Sequence, residues 1–177
     1  MPFKLIKSLE FHFLTKKTTL IRKSANGSIN FDTELNLFFY IYRMNKIEHI
    51  GIAVKDLKAA NQVYAALLGV AHYKTETVES EGVNTSFFKS GPNKIELLEG
   101  TNPESPIAKF IAKKGEGVHH IAFAVSDIQS EIARLKTAGF IVLNEVAKKG
   151  ADNKLVAFLH PKSTNGVLIE LCQEIEG

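Results

Sequence analysis

The sequence predicts an α+β fold in which two tandem βαβββ modules share one curved sheet. Three observations point to it. The stretch Glu48-His49-Ile50-Gly51-Ile52-Ala53-Val54-Lys55-Asp56-Leu57 is echoed, 71 residues later, by His119-His120-Ile121-Ala122-Phe123-Ala124-Val125-Ser126-Asp127-Ile128. Each copy then runs through a helix-like stretch to a glycine, Leu67-Leu68-Gly69-Val70 in the first and Thr137-Ala138-Gly139-Phe140 in the second. Each closes on a matching strand, Lys94-Ile95-Glu96-Leu97-Leu98 and Leu168-Ile169-Glu170-Leu171-Cys172, at an offset of 74. Ordered matches at nearly constant spacing define a duplicated module.

The elements follow in order. Residues 46–54 alternate bulky and small side chains and read as a strand. Asp56 stands where the helix over 57–67 needs a cap. Alternating segments at 71–79, 83–89 and 93–99 complete module one, about 45–99. The connector 100–117 carries Pro103, Pro106 and a short helix from Pro106 to Lys113, and Gly115 and Gly117 then free the chain to restart. Module two, about 118–173, repeats the plan: a strand at 118–125, a helix at 128–138 behind a capping box of Ser126 and Gln129, and strands at 140–145, 154–160 and 166–173. Residues 44–177 therefore read as one domain.

With 177 residues, 45% hydrophobic and 23% charged, the chain has the proportions of a folded domain. No run approaches the roughly 20 apolar residues of a transmembrane helix, so no membrane partner is expected. A single cysteine, Cys172, excludes an internal disulfide and fits a reducing compartment. The formal charge of +3 divides unevenly: residues 1–43 hold seven Lys/Arg against three Asp/Glu, and the rest hold 15 against 16. The body thus has no basic surplus for nucleic acid, and none is expected as a partner.

Residues 1–43 differ in character, with six of the twelve Phe, one glycine (Gly27) and no sustained period. Their basic, acid-poor start (Lys4, Lys7, Lys16 and Lys17 against Glu10) resembles a transit peptide. They also read as sequence upstream of a start at Met44, or as an arm that packs its aromatics on the body. A disordered or transit-like extension without chemistry is the expectation. The body is expected in the cytoplasm, or in the mitochondrial matrix if the extension is a leader.

Alternation assigns the faces of the body. In the first strand Ile50, Ile52 and Val54 oppose His49, Gly51 and Ala53, and in its echo Ile121, Phe123 and Val125 oppose His120, Ala122 and Ala124. The bulky side should meet the helices, and the side with a histidine and two small residues should stay open. Glu96 and Glu170 sit in the middle of apolar strands, where an unpaired charge is costly. A lone strand histidine is usually a hydrogen-bonded core residue and a lone glutamate a solvated one. The same pair placed equivalently in two copies is different: His49, Glu96, His120 and Glu170 can converge on one ion between the modules. Mixed imidazole and carboxylate ligands suit one borderline divalent metal per chain, such as Co, Ni, Mn, Fe or Zn, and do not favour calcium.

Other residues carry weaker signals. Cys172 shares a face with Glu170 without an evident base partner and reads as a small filler. Gly115-Glu116-Gly117 lacks the context of a dinucleotide loop and reads as a hinge. His12, His72 and Lys148-Lys149 read as tail or solvated surface, and His119 points away from His120 by alternation. His160-Pro161-Lys162-Ser163-Thr164-Asn165-Gly166 is a polar turn, either a plain hairpin loop or a grip on an anionic substrate.

The paired modules with inward ligand candidates resemble the vicinal oxygen chelate superfamily, which includes glyoxalase I and the extradiol dioxygenases. Within it, the body resembles the methylmalonyl-CoA epimerase family. The resemblance rests on His49-Ile50-Gly51-Ile52-Ala53-Val54, Lys94-Ile95-Glu96-Leu97-Leu98-Glu99, Ser105-Pro106-Ile107-Ala108-Lys109-Phe110 and Gly117-Val118-His119-His120-Ile121. Phe158-Leu159-His160-Pro161-Lys162-Ser163, leading to Gly166-Val167-Leu168-Ile169-Glu170-Leu171, completes it.

The resemblance implies a glyoxalase-like sheet around a metal site, homodimers and an acyl-CoA thioester substrate of propionate metabolism. The implied reaction interconverts (2R)- and (2S)-methylmalonyl-CoA through a metal-stabilised enolate, and two acid/base groups or a mobile shuttle must move the C2 proton. Glu170 matches a ligand that also serves as a base, and Lys162 and Ser163 are candidate substrate contacts. The family's other carboxylate, shortly after a Gly-Val pair, falls here on Thr85, which leaves Glu79 and Glu81 as substitutes. Two other functions fit the fold: a glyoxalase I-type lyase acting on a thiol adduct, and a non-catalytic small-molecule binder. The full His/Glu set counts against the binder.

Overall fold

The computed structural model describes residues 44–175; the expectations for residues 1–43, His12 among them, lie outside the described residues. The elements are β1 (Met44–Ala53), α1 (Leu57–Leu68), β2 (Lys74–Val78), β3 (Val83–Ser90), β4 (Asn93–Gly100), α2 (Pro106–Lys114), β5 (Gly117–Val125), α3 (Ile128–Thr137), β6 (Lys148–Lys149), β7 (Lys154–Leu159) and β8 (Leu168–Glu174). They form one eight-stranded mixed sheet in the order β2-β3-β4-β1-β5-β8-β7-β6. Each module pairs its first and last strands in parallel, β1 with β4 and β5 with β8. The two first strands meet antiparallel at the centre. This is the α+β, glyoxalase-like arrangement of two βαβββ modules.

Local chemistry explains the helix boundaries. The Asp56 carboxylate accepts from the Ala59 amide at 2.9 Å, and Gly69 ends α1 in the left-handed region at φ 68°. Ser105 caps α2 just ahead of Pro106. For α3 the expected box of Ser126 and Gln129 does not form. The helix begins at Ile128 as expected, but its cap lies one residue later: Asp127 accepts from the Ser130 amide at 2.9 Å, and Gln129 donates instead to the Glu145 carbonyl.

The strand expected at 140–145 is also not formed. Its alternation is real, since Phe140 and Val142 pack on the core, but only an isolated bridge joins Val142 to Leu159. The Asn144 side chain takes the Phe158 amide that would have continued a ladder, and the edge strand is the two-residue β6.

The bulky faces meet the helices as the alternation predicts. Val54, Phe88 and Leu97 pack with Tyr64 and Leu68 of α1, and Ile128, Ile132 and Leu135 of α3 pack with Leu159 and Leu171. Each such fully buried side chain contributes roughly 1.5–3 kcal/mol of transfer free energy. The opposite face curls. Asp152, beside edge strand β6, reaches the other edge, where its carboxylate meets Lys74 at 3.3 Å and its amide donates to Glu76 at 3.1 Å. Among the described residues no helix is long and apolar enough to cross a membrane.

Candidate metal centre and substrate cavity

The strand register builds the centre in two rows across the concave face. In one row Glu96 of β4 lies beside Gly51 of β1, which lies beside His120 of β5. In the other, His49 of β1 lies beside Ala122 of β5, which lies beside Glu170 of β8. Each row is one imidazole, one small residue and one carboxylate, in opposite directions, as the duplication requires. The small middle residue leaves room for the side chains to lean inward. A Cβ on Gly51 would stand 2.2 Å from Cε1 of His120, so the ring of His120 occupies the space that glycine leaves.

The four side chains meet. Nε2 of His49 is 2.9 Å from Nε2 of His120 and 3.1 Å from Oε2 of Glu96. Nε2 of His120 is 3.1 Å from Oε2 of Glu170 and 3.5 Å from Oε2 of Glu96. All four residues are at most 5% exposed. The outer oxygens of both glutamates are tied down as well: Thr85 donates to Oε1 of Glu96 and the Cys172 thiol to Oε1 of Glu170, each at 2.9 Å. Cys172 is therefore more than a filler. Burial and the neighbouring Glu170 push its thiol pKa far up, so it remains a donor.

The two carboxylates favour positive charge at the centre. Burial opposes charge on His49, but Glu96 and Glu48 outweigh it and push the imidazole up to about 10. Burial opposes charge on Glu96 too, yet His49 and His120 hold it well below the usual carboxylate range. His49, Glu96 and His120 form a group that can hold a metal ion, and the Glu170 oxygen reaches the same nitrogens. Two imidazoles and two carboxylates, buried and convergent, fit a borderline divalent ion.

Three further residues differ from expectation. His119 does not point away: it lines the same cavity, with Nδ1 3.0 Å from Nδ1 of His120. Burial, with the neighbouring His120 acting in the same direction, holds its own pKa down at about 4. Lys148 is not merely solvated surface, because it lines the cavity and pairs with Glu81. Glu48, which the sequence reading passed over, is 4% exposed and contacts His49.

The cavity encloses about 310 Å³. Val83, Leu98 and Ile107 form an apolar end, and Asp152 and Lys154 lie among its polar lining. Lys162 and Ser163 are not in the lining. Lys162 is exposed, and the Ser163 hydroxyl closes its own turn, accepting from the Ile141 amide at 3.1 Å and donating to the His160 carbonyl at 3.0 Å. Of the carboxylates flanking Gly82, Glu81 lines the cavity and Glu79 is exposed.

Residues 48–158 match the Glyoxalase/Bleomycin resistance protein/Dioxygenase superfamily. The chain belongs to that superfamily, on the branch of the methylmalonyl-CoA epimerases. It is 42% identical over 132 residues to the ethylmalonyl-CoA/methylmalonyl-CoA epimerase of Cereibacter sphaeroides, covering 73% of this chain and 98% of that one. It is 38% identical over 134 residues to the mitochondrial methylmalonyl-CoA epimerase of Homo sapiens, covering 75% and 76%. A solved methylmalonyl-CoA epimerase in complex with methylmalonyl-CoA and NH4+ superposes with a TM-score of 0.72 at 38% identity, covering 74% of this chain and 95% of that one.

Proposed function

We propose that this enzyme interconverts the (2R) and (2S) epimers of methylmalonyl-CoA by removing and returning the C2 proton, with one divalent ion, cobalt, nickel, manganese or zinc, held by His49, Glu96, His120 and Glu170. The observation that carries the reading is the convergence of four buried donors, two from each module, at the wall of a cavity. An ion held there supplies Lewis acidity toward the negative charge that develops on the thioester oxygen when the acidic C2–H is lost.

The chain's own residues do the rest. Glu170, with one oxygen fixed by Cys172 and the other facing the centre, takes the proton on one face of C2. Thr85 holds Glu96 in place and leaves Glu81, paired with Lys148 at the cavity wall, as the carboxylate that serves the other face. Val83, Leu98 and Ile107 give the substrate's methyl group an apolar wall. The coenzyme A portion extends beyond the cavity, where Lys162 offers a cation and Ser163 shapes the turn. The working form is a homodimer, in line with the family resemblance.

Proton NMR of methylmalonyl-CoA in deuterated water tests this. Enzyme stripped of metal and reloaded with cobalt should wash out the C2 proton signal, and stripped enzyme should not. No exchange with verified metal loading would discard the epimerase reading in favour of thiol-adduct chemistry.

The charge state of His49 adds a pH dependence. With its pKa raised to about 10, the imidazole carries a proton at neutral pH that an incoming ion must displace. Metal affinity should therefore rise with pH through the range below 10, by up to about tenfold per unit, with one proton released per ion bound. Competition titrations at pH 7, 8 and 9 measure the slope; a flat profile would mean that His49 gives up no proton on binding.

A further inference from the structure

Each candidate histidine is preceded by a residue that the central ladder skips. Ile47 lies opposite Phe123 and His49 opposite Ala122, so Glu48 is an extra residue in β1. Gly51 lies opposite His120 and Ile52 opposite Val118, so His119 is an extra residue in β5. These two bulges correspond under the 71-residue repeat. A bulge re-aims a side chain that regular alternation would send to the opposite face. Here it brings both extra residues to the concave side, where each meets the outer nitrogen of the histidine that follows.

In module one, Oε2 of Glu48 is 2.5 Å from Nδ1 of His49. The other carboxylate oxygen is held by Lys94 at 2.6 Å and Lys154 at 3.4 Å. In module two, Nδ1 of His119 is 3.0 Å from Nδ1 of His120, and the His119 ring packs edge-on against Phe110 of α2 with centroids 4.9 Å apart. An imidazole that offers Nε2 to a cation carries its proton on Nδ1, and that proton needs an acceptor. The Glu48 carboxylate stands at that position in one module and Nδ1 of His119 in the other.

We propose that Glu48 and His119 are positioning residues, which fix the tautomer and ring orientation of His49 and His120 so that both Nε2 lone pairs face one ion. The inference rests on the reading of these histidines as metal ligands. It assigns the two bulges a shared purpose, achieved with different chemistry: a carboxylate anchored by lysines in one copy, an imidazole braced on an aromatic ring in the other.

Zinc competition titration and imidazole NMR of the zinc-loaded full chain test it together. Glu48→Leu and His119→Phe keep bulk but remove the acceptor, and each should weaken zinc binding by roughly 10–100-fold. Glu48→Gln retains an acceptor oxygen and should recover most of the loss. In the wild type, both His49 and His120 should show slowly exchanging Nδ1–H resonances. His119→Phe should shift or lose the His120 resonance and leave that of His49, a change that loss of packing alone does not produce. If Glu48→Leu fails to fold because Lys94 and Lys154 each lose one of their two carboxylate partners, the His119→Phe spectrum decides. Wild-type zinc affinity and unchanged Nδ1–H resonances in His119→Phe would overturn the proposal. A wild-type protein that binds no zinc or cobalt would overturn the metal reading itself and this inference with it.

Discussion

If His120 holds the proposed ion, replacing it with alanine should abolish binding of that ion and reduce C2 proton exchange by at least about a hundredfold. His120 touches all three other members of the cluster: its Nε2 lies 2.9 Å from His49, 3.1 Å from Glu170 and 3.5 Å from Glu96. The substitution removes one of only two imidazoles and leaves two buried carboxylates with a single nitrogen partner, so the remaining donors no longer close around one point. Glu96→Gln should be milder, because the amide oxygen can still ligate while one negative charge is lost. Metal analysis after dialysis, with the exchange assay on the same samples, gives the comparison. Normal metal content in His120→Ala would refute the shared site.

Gly51→Ala should come close to that loss although it deletes no functional group. The added Cβ would lie 2.2 Å from Cε1 and 2.6 Å from both nitrogens of the His120 ring. The backbone of Gly51 cannot retreat, since β1 is laddered to β4 on one side and β5 on the other. The ring must leave its place, and the nitrogen that faces the centre leaves with it. Overpacking of this kind costs about 1–3 kcal/mol of stability, so the variant should still fold while its cobalt spectrum changes and its exchange rate falls. Thermal unfolding separates the two effects. Wild-type activity and cobalt spectrum in Gly51→Ala would show that His120 does not need that space.

Much of this was legible in the residues. Duplication was readable because the two copies still share their strand endings, and the faces because Ile50, Ile52 and Val54 alternate with His49, Gly51 and Ala53. Glu96 and Glu170 stood out as charges that apolar strands do not bury without a partner. Gly51 was read as leaving an open surface, and the structure fills that space with the neighbouring ring. The expected strand at 140–145 failed because alternation reports which side chains face a core and does not say who takes the backbone hydrogen bonds. Asn144 takes one of them.

Glu48 and His119 mark the limit most clearly. Strict alternation places each on the face opposite its histidine, and nothing in a local pattern of period two announces an extra residue. Their one sequence signal was positional, since both directly precede a candidate ligand at the same point of the repeat. By itself, then, the sequence determined the modules, the helix-facing core and the four side chains that gather on the concave face, because periodicity and burial of charge are local properties. Only the tertiary structure decided which strands stand side by side, where the ladders slip and which second-layer groups touch the histidines. Those depend on register between strands far apart in the chain, which no single segment encodes.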